Sequence, residues 1–386
     1  MLADTDAGNI VTAAESGARW GYRLAPLLLL LIPVLIIVQD LAVRIGLFRK
    51  CGFGELVRER FGRAGALVAA AALVAATVGS LVTELTGIAG VGELYGASRW
   101  LVVPLAGATL ILVALTGEYR RVERIALLFG LFELSFFIVA WQSHPSGGEM
   151  IRDIADQKLA DYGYLYLGAG LIGATFNPWM IFYQASAIAE KDLVPSDYRA
   201  ARWDTMVGAI LTQLVTASVL VAIAALKQHG TGASLDNIGQ ISDALTPLLG
   251  EATGQLVFSA GVVGAAMAAA IVSSLACAWG LGEIFGLRRS LEREARRRPG
   301  FFSGYAAWVV GSAILVLFAP DLVRLSIGMQ VLNALLLPVV ATLLVILAAT
   351  ALPDSVRLRG RRLWLTAGVI GLAAFAGVAG ALAGWR

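Results

Sequence analysis

Cysteine and histidine are nearly absent: in 386 residues there are only Cys51, Cys277, His144 and His229. Two cysteines make no disulfide framework, and both are expected to be free thiols. Both histidines fall between apolar runs, so no histidine cluster for zinc or iron forms inside those runs, which argues against a zinc enzyme. Charge is scarce as well. Asp, Glu, Lys and Arg make up 15% of the chain, against roughly 25% in soluble domains. No basic segment precedes the first apolar stretch, where Met1 is followed by Asp4 and Asp6, so no cleavable signal peptide is expected. There is no low-complexity linker and no soluble domain. Nothing points to nucleic acid or to a resident cofactor.

What is there is apolar. Hydrophobic residues reach 58% and mean hydropathy is +0.77. Runs near twenty residues recur from end to end, each long enough to cross a hydrocarbon core of roughly 30 Å as a helix. The runs are continuous, which excludes the alternation of a β-barrel. They predict ten spans, near 22–47, 64–91, 100–116, 124–142, 164–189, 204–226, 254–282, 301–319, 325–350 and 363–384, with a short apolar helix at about 9–18. Alternate connections hold 21 of the 30 Lys and Arg residues and the opposite set only 8, with Arg44 inside a span. The basic side is expected to face the cytoplasm, which puts the C-terminus outside an inner (plasma) membrane of bacterial type. The long connections at 143–163 and 227–253 lie on the other side and are mildly acidic, most simply as solvated loops. Asp40 and Arg44, four apart, are expected to pair. The Gly- and Ala-rich stretch 371–384 reads as helix packing.

Two places break the apolar pattern in a matching way. Asp4-Thr5-Asp6-Ala7-Gly8-Asn9 precedes the short helix, and Gly170-Leu171-Ile172-Gly173-Ala174-Thr175-Phe176-Asn177-Pro178-Trp179-Met180 interrupts a span. Unwound backbone at membrane depth is tolerated where it lines a cavity or is buried in protein. A pair of such breaks, each opening a set of five helices, marks a transporter binding site.

This pattern resembles the NRAMP family of divalent-metal transporters, with its Asp-Pro-Gly-Asn motif in the first helix and Met-Pro-His in the sixth. The corresponding residues here are Asp6-Ala7-Gly8-Asn9 and Asn177-Pro178-Trp179. The likeness extends to Glu84 in the third helix, Tyr119-Arg120-Arg121-Val122-Glu123 entering the fifth, and Gln330 eight residues before Pro338 in the tenth. The resemblance implies an all-α membrane protein with the leucine-transporter-like fold of two inverted five-helix repeats, residues 1–142 and 143–350, with an eleventh helix in 351–386. Family members have a half-helix before the first motif; here it is expected to be missing.

By the same resemblance the metal ligands become Asp6, Asn9, Asn177, the carbonyls of Ala3 and Ala174, and Gln330 in an occluded state. Asp4, Glu84, Trp179 and Glu133 become possible cavity or gating residues. Asn177 replaces the family's thioether, and oxygen donors suit Mg²⁺, Ca²⁺ and Mn²⁺ rather than softer ions. Mg²⁺ keeps several waters and takes one or two carboxylates. The sequence therefore favours a carrier of Mg²⁺ that also accepts Mn²⁺, nearest the NRAMP-related magnesium transporters. Trp179 stands where the family's sixth-helix His titrates, and Leu81 stands where an acid precedes Glu84 by about one turn, so flux without obligatory proton movement is expected. The alternatives are a proton-coupled Mn²⁺/Fe²⁺ carrier, an amino-acid carrier, and an intramembrane aspartyl protease. Two aspartates would repel an amino acid's carboxylate, and a protease needs its aspartates on facing helices.

Overall fold

The computed structural model describes residues 5–115, 128, 130–191, 193–226, 235, 239–241, 251–286 and 299–384. Among these residues the regular structure is helical throughout. The first helix, α1 (Ala7–Trp20), turns at Gly21 into α2 (Ala25–Arg49), followed by α3 (Phe53–Leu94) and α4 (Arg99–Leu115). A 3₁₀ turn (Leu131–Leu134) leads into α5 (Ser135–Gln142), and α6 (Gly147–Ala155) lies in the next connection. Then come α7 (Tyr162–Thr175), α8 (Pro178–Glu190), α9 (Tyr198–Leu226), α10 (Glu251–Phe285), α11 (Pro299–Phe318), α12 (Leu322–Thr350) and α13 (Gly360–Ala383).

Seven segments among the described residues are long and apolar enough to cross a membrane, α1–α2 and α7–α8 each counting once. Three shorter apolar helices, Arg99–Val113, Leu131–Gln142 and Tyr305–Phe318, coincide with the other three expected spans. The ten runs read from the sequence thus correspond to ten helical segments. One is longer than expected, because α3 begins at Phe53. Gly62, at φ +65°, breaks it locally, so a short segment precedes the apolar run. A left-handed φ of this kind favours glycine.

The connection at 143–163 is not simply a solvated loop. Its Asp153 Oδ1 lies 2.9 Å from Arg23 Nη1, and its Oδ2 accepts from the Tyr22 N–H at 2.9 Å. Asp156 pairs with both Arg23 (2.9 Å) and Lys158 (2.8 Å), which hold its carboxyl below the usual aspartate range. Asp161 caps α7 through the N–H groups of Gly163 and Tyr164. These acids are engaged by cations or helix ends, which leaves little of their charge for gathering ions. Most of 227–253, including His229, lies outside the described residues, as do Tyr119–Glu123.

The expected pair of Asp40 and Arg44 forms at 2.5 Å. Tyr198 bonds both partners and Arg44 also donates to the Val356 carbonyl, so the pair fastens α2 to α9 and to the segment before α13. The small-residue stripe of α13 packs on α7, with Gly380 against the Leu165 carbonyl.

Two large apolar clusters fill the interior. One contains Ala7, Ile10, Leu171 and Val331; the other contains Ile172, Phe176, Trp179 and Leu337. Neighbouring residues of α7 and of α12 fall on opposite sides of this division. Between them lies a small polar group.

Candidate metal site

The polar group is built from three helix ends and the middle of a fourth helix. Asp6 takes extended backbone angles (φ −101°, ψ 170°) and caps α1, its Oδ1 accepting the Asn9 N–H at 2.6 Å. Aspartate is a favoured cap because its oxygen satisfies an N–H that the first turn leaves open. On the other side, α7 ends at Thr175 and α8 begins at Pro178, leaving only Phe176 and Asn177 between them. Proline suits the first turn of a helix and restricts the residue before it to extended angles, so Asn177 sits at ψ 120°.

The breaks are therefore narrower than the sequence suggested. Ala7, Gly8 and Asn9 belong to the first turn of α1, and Gly170–Thr175 are helical. The glycines serve packing instead. A Cβ at Gly173 would fall on the Gln330 carbonyl, so this glycine lets α7 lie directly against α12.

That close approach brings the side chains together. Asn177 Nδ2 donates to Asp6 Oδ2 at 3.2 Å and to the Ala174 carbonyl at 3.2 Å. Gln330 Nε2 donates to Asp6 Oδ1 and Oδ2 at 2.9 and 3.2 Å. Asn333, one turn further along α12, donates to Asn177 Oδ1 and, at 3.0 Å, to Gln330 Oε1. Asp6, Asn177, Gln330 and Asn333 are exposed by only 0, 1, 0 and 1%. The arrangement joins α1, the α7–α8 break and α12 through a single carboxylate.

Glu84 stands beside it. Its Oε2 accepts the Ala7 N–H at 3.0 Å, and its Oε1 is approached by Thr83 Oγ1 (3.3 Å) and Ser80 Oγ (3.5 Å). Thus α3 supplies a second acidic cap to α1, one residue from Asp6. Glu133 is buried in the 3₁₀ turn Leu131–Leu134, which packs on α10. Trp179 is buried in the apolar cluster, and its indole N–H has no acceptor among the described residues. Ala3 and Asp4 lie outside the described residues.

Asn333 was not singled out in the sequence. Its one signal was its place three residues after Gln330, which puts both on one face of a helix.

The donor set is hard. Among the described residues no three His, Cys, Asp or Glu gather as a metal cluster. Met180 belongs to the Trp179 cluster and Met329 lies against Gly79. What remains is one or two carboxylates, three amide oxygens and the carbonyls ending α7. The C-terminal end of that helix carries partial negative charge and favours a cation. Along α1, about three turns from Asp6, a cavity of about 250 Å³ is lined by Glu15, Arg19, Tyr166, Asp321 and Arg324.

Comparison with known proteins agrees with this architecture. The family model described as natural resistance-associated macrophage protein-like matches residues 1–383. The divalent metal cation transporter MntH of Xylella fastidiosa is 27% identical over 291 residues, covering 70% of this chain and 60% of that protein. MntH 1 of Pseudomonas aeruginosa, also a divalent metal cation transporter, is 30% identical over 289 residues, covering 70% and 64%. The chain thus spans about 60 to 64% of the length of these two relatives. The crystal structure of the Eremococcus coleocola manganese transporter, in complex with an aromatic bis-isothiourea substituted compound, superposes with a TM-score of 0.74 at 18% identity. It covers all of this chain and 85% of that one.

Proposed function

Because this chain belongs to the natural resistance-associated macrophage protein-like family, we propose that it carries divalent metal cations across a lipid bilayer. The ion binds at the junction of α1, the α7–α8 break and α12. The observation that carries the reading is the convergence of Asn177 and Gln330 on Asp6 in a buried break between helices. The ligands are Asp6, Asn177, the Ala174 carbonyl and Gln330, joined by Asn9 from the first turn of α1.

The ion is a hard one, Mg²⁺ and Mn²⁺ both being accepted and Mg²⁺ preferred. All-oxygen coordination supports this, since such a site has no soft donor with which to reject magnesium. The second reading is a proton-coupled carrier of Mn²⁺ or Fe²⁺; its choice of metal is better supported by the similar proteins, one of which is a manganese transporter. Against coupling stands Trp179, which does not titrate, and Leu81, which replaces an acid near Glu84. Two positive charges moving down 100 mV gain about 4.6 kcal/mol, enough to drive accumulation without protons.

Proteoliposomes loaded with a pH-sensitive dye separate the two. Uptake of Mn²⁺ that Mg²⁺ inhibits, with no change in internal pH, is the expected result. Uptake insensitive to Mg²⁺ and accompanied by acidification replaces it with the second reading. On the basic-inside orientation, the connections 49–63 and 191–202 face the cytoplasm and the cavity at Glu15 opens outward. The two five-helix sets then rock about the site.

A further inference from the structure

We propose that Asn333 fixes the donor and acceptor directions of the amides around Asp6 and reverses together with them when a cation enters. This rests on the transport reading and deepens it. An ionised carboxylate only accepts hydrogen bonds. Every amide that meets Asp6 must therefore present its NH₂, as Asn177 and Gln330 do. Their carbonyl oxygens then point away from the site. Both are met by the Nδ2 of Asn333. The direction propagates from the carboxylate outward through two amides to a third and ends at Asn333 Oδ1, a buried oxygen with no hydrogen-bond partner among the described residues.

A cation beside Asp6 reverses the demand on the amides. The cation requires oxygen from Asn177 and Gln330, so both amides turn over and send their NH₂ groups towards Asn333. The Oδ1 of Asn333, idle without the ion, is then the acceptor they need. Asn333 turns with them, its oxygen moving to face the two amides and its NH₂ taking the place the oxygen left. Asn333 is a positioning residue, acting on the ion through Asn177 and Gln330.

The test is calorimetric titration of Mn²⁺ and Mg²⁺ into the full chain in detergent. Asn333→Asp offers only acceptors to the two amides and pre-turns them, so binding should tighten about tenfold, a change on the scale of one buried hydrogen bond. Ser326→Asp puts the same charge on α12 seven residues, about two turns, from Asn333, and should gain much less. Unchanged or weaker binding by Asn333→Asp, or an equal gain in Ser326→Asp, overturns the proposal. If Asn333→Asp does not fold, the wild-type protein carrying ¹³C-labelled asparagine is read by infrared difference spectroscopy. Mn²⁺ should shift the labelled side-chain carbonyl absorption, and a spectrum without a shift overturns the proposal equally. A wild type that binds neither ion removes the transport reading itself. Binding by the wild type without tightening in Asn333→Asp removes only the role of Asn333.

Discussion

Replacing Asp6 by Asn separates the site's chemistry from its architecture. Asparagine caps a helix about as well as aspartate, so the Asn9 N–H keeps an acceptor and α1 keeps its first turn. In the ion-free protein one amide of Asn177 or Gln330 meets an NH₂ instead of a carboxylate oxygen, at a cost of about 1 kcal/mol for a lost hydrogen bond. Against this, a buried charge disappears, and its desolvation costs several kcal/mol. The variant should therefore unfold at the same temperature as the wild type or a higher one. Metal binding moves the other way. Removing the charged partner of a buried ion costs roughly 3–5 kcal/mol, which at 1.4 kcal/mol per decade weakens binding about a hundred- to several-thousandfold. Thermal unfolding followed by tryptophan fluorescence, and Mn²⁺ uptake by proteoliposomes, should diverge. Uptake at the wild-type rate would refute the assignment of Asp6. So would a collapse in unfolding temperature accompanying lost uptake, since Asp6 would then be holding the fold rather than an ion.

Four further outcomes are expected. Gly173→Ala puts a methyl group onto the Gln330 carbonyl and should cost about 1–3 kcal/mol by overpacking, seen as a lower unfolding temperature together with lower uptake. Glu84→Gln retains an oxygen for the Ala7 N–H, so uptake should survive at a similar rate, whereas an obligatory proton relay would lose it. Arg44→Lys gives up the guanidinium that reaches Asp40, Tyr198 and Val356 together; a loss of roughly 1–3 kcal/mol in denaturant unfolding should leave ion affinity unchanged. Asp156 is held below its usual range by Lys158 and Arg23, so its ion pairs are complete above the ordinary aspartate value near 4 and are lost only as pH falls through the lowered one. The carboxyl ¹³C shift of Asp156, followed by NMR, should stay constant between about pH 7 and 5.

The membrane spans were legible because a run of some twenty apolar residues has few other uses. The meeting of Asp6, Asn177 and Gln330 was legible for a different reason: polar groups and helix breakers in an apolar span are expensive, so each points to something that satisfies it. The extent of the breaks was less visible. Gly170 and Gly173 read as unwinding, yet glycine serves close packing equally well, and only the position of α12 decides between the two. Asn333 was hidden by its setting among Leu, Val and Pro, since a single amide in a helix has no signature until its neighbours are placed. The salt links of Asp153 and Asp156 join residues more than a hundred positions apart, a distance that charge counting along the chain does not bridge.

The contact between Glu84 and the Ala7 N–H has a mechanical meaning. α1 starts one residue after Asp6, the carboxylate proposed to meet the ion, and its leading amide is tethered to α3. A tilt of α1 therefore either drags α3 along or snaps that tether. On the proposed transport reading, an event confined to a few oxygen atoms is thereby passed to a rod of more than thirty residues, and the lever arm for opening one side of the membrane begins at the proposed cargo site.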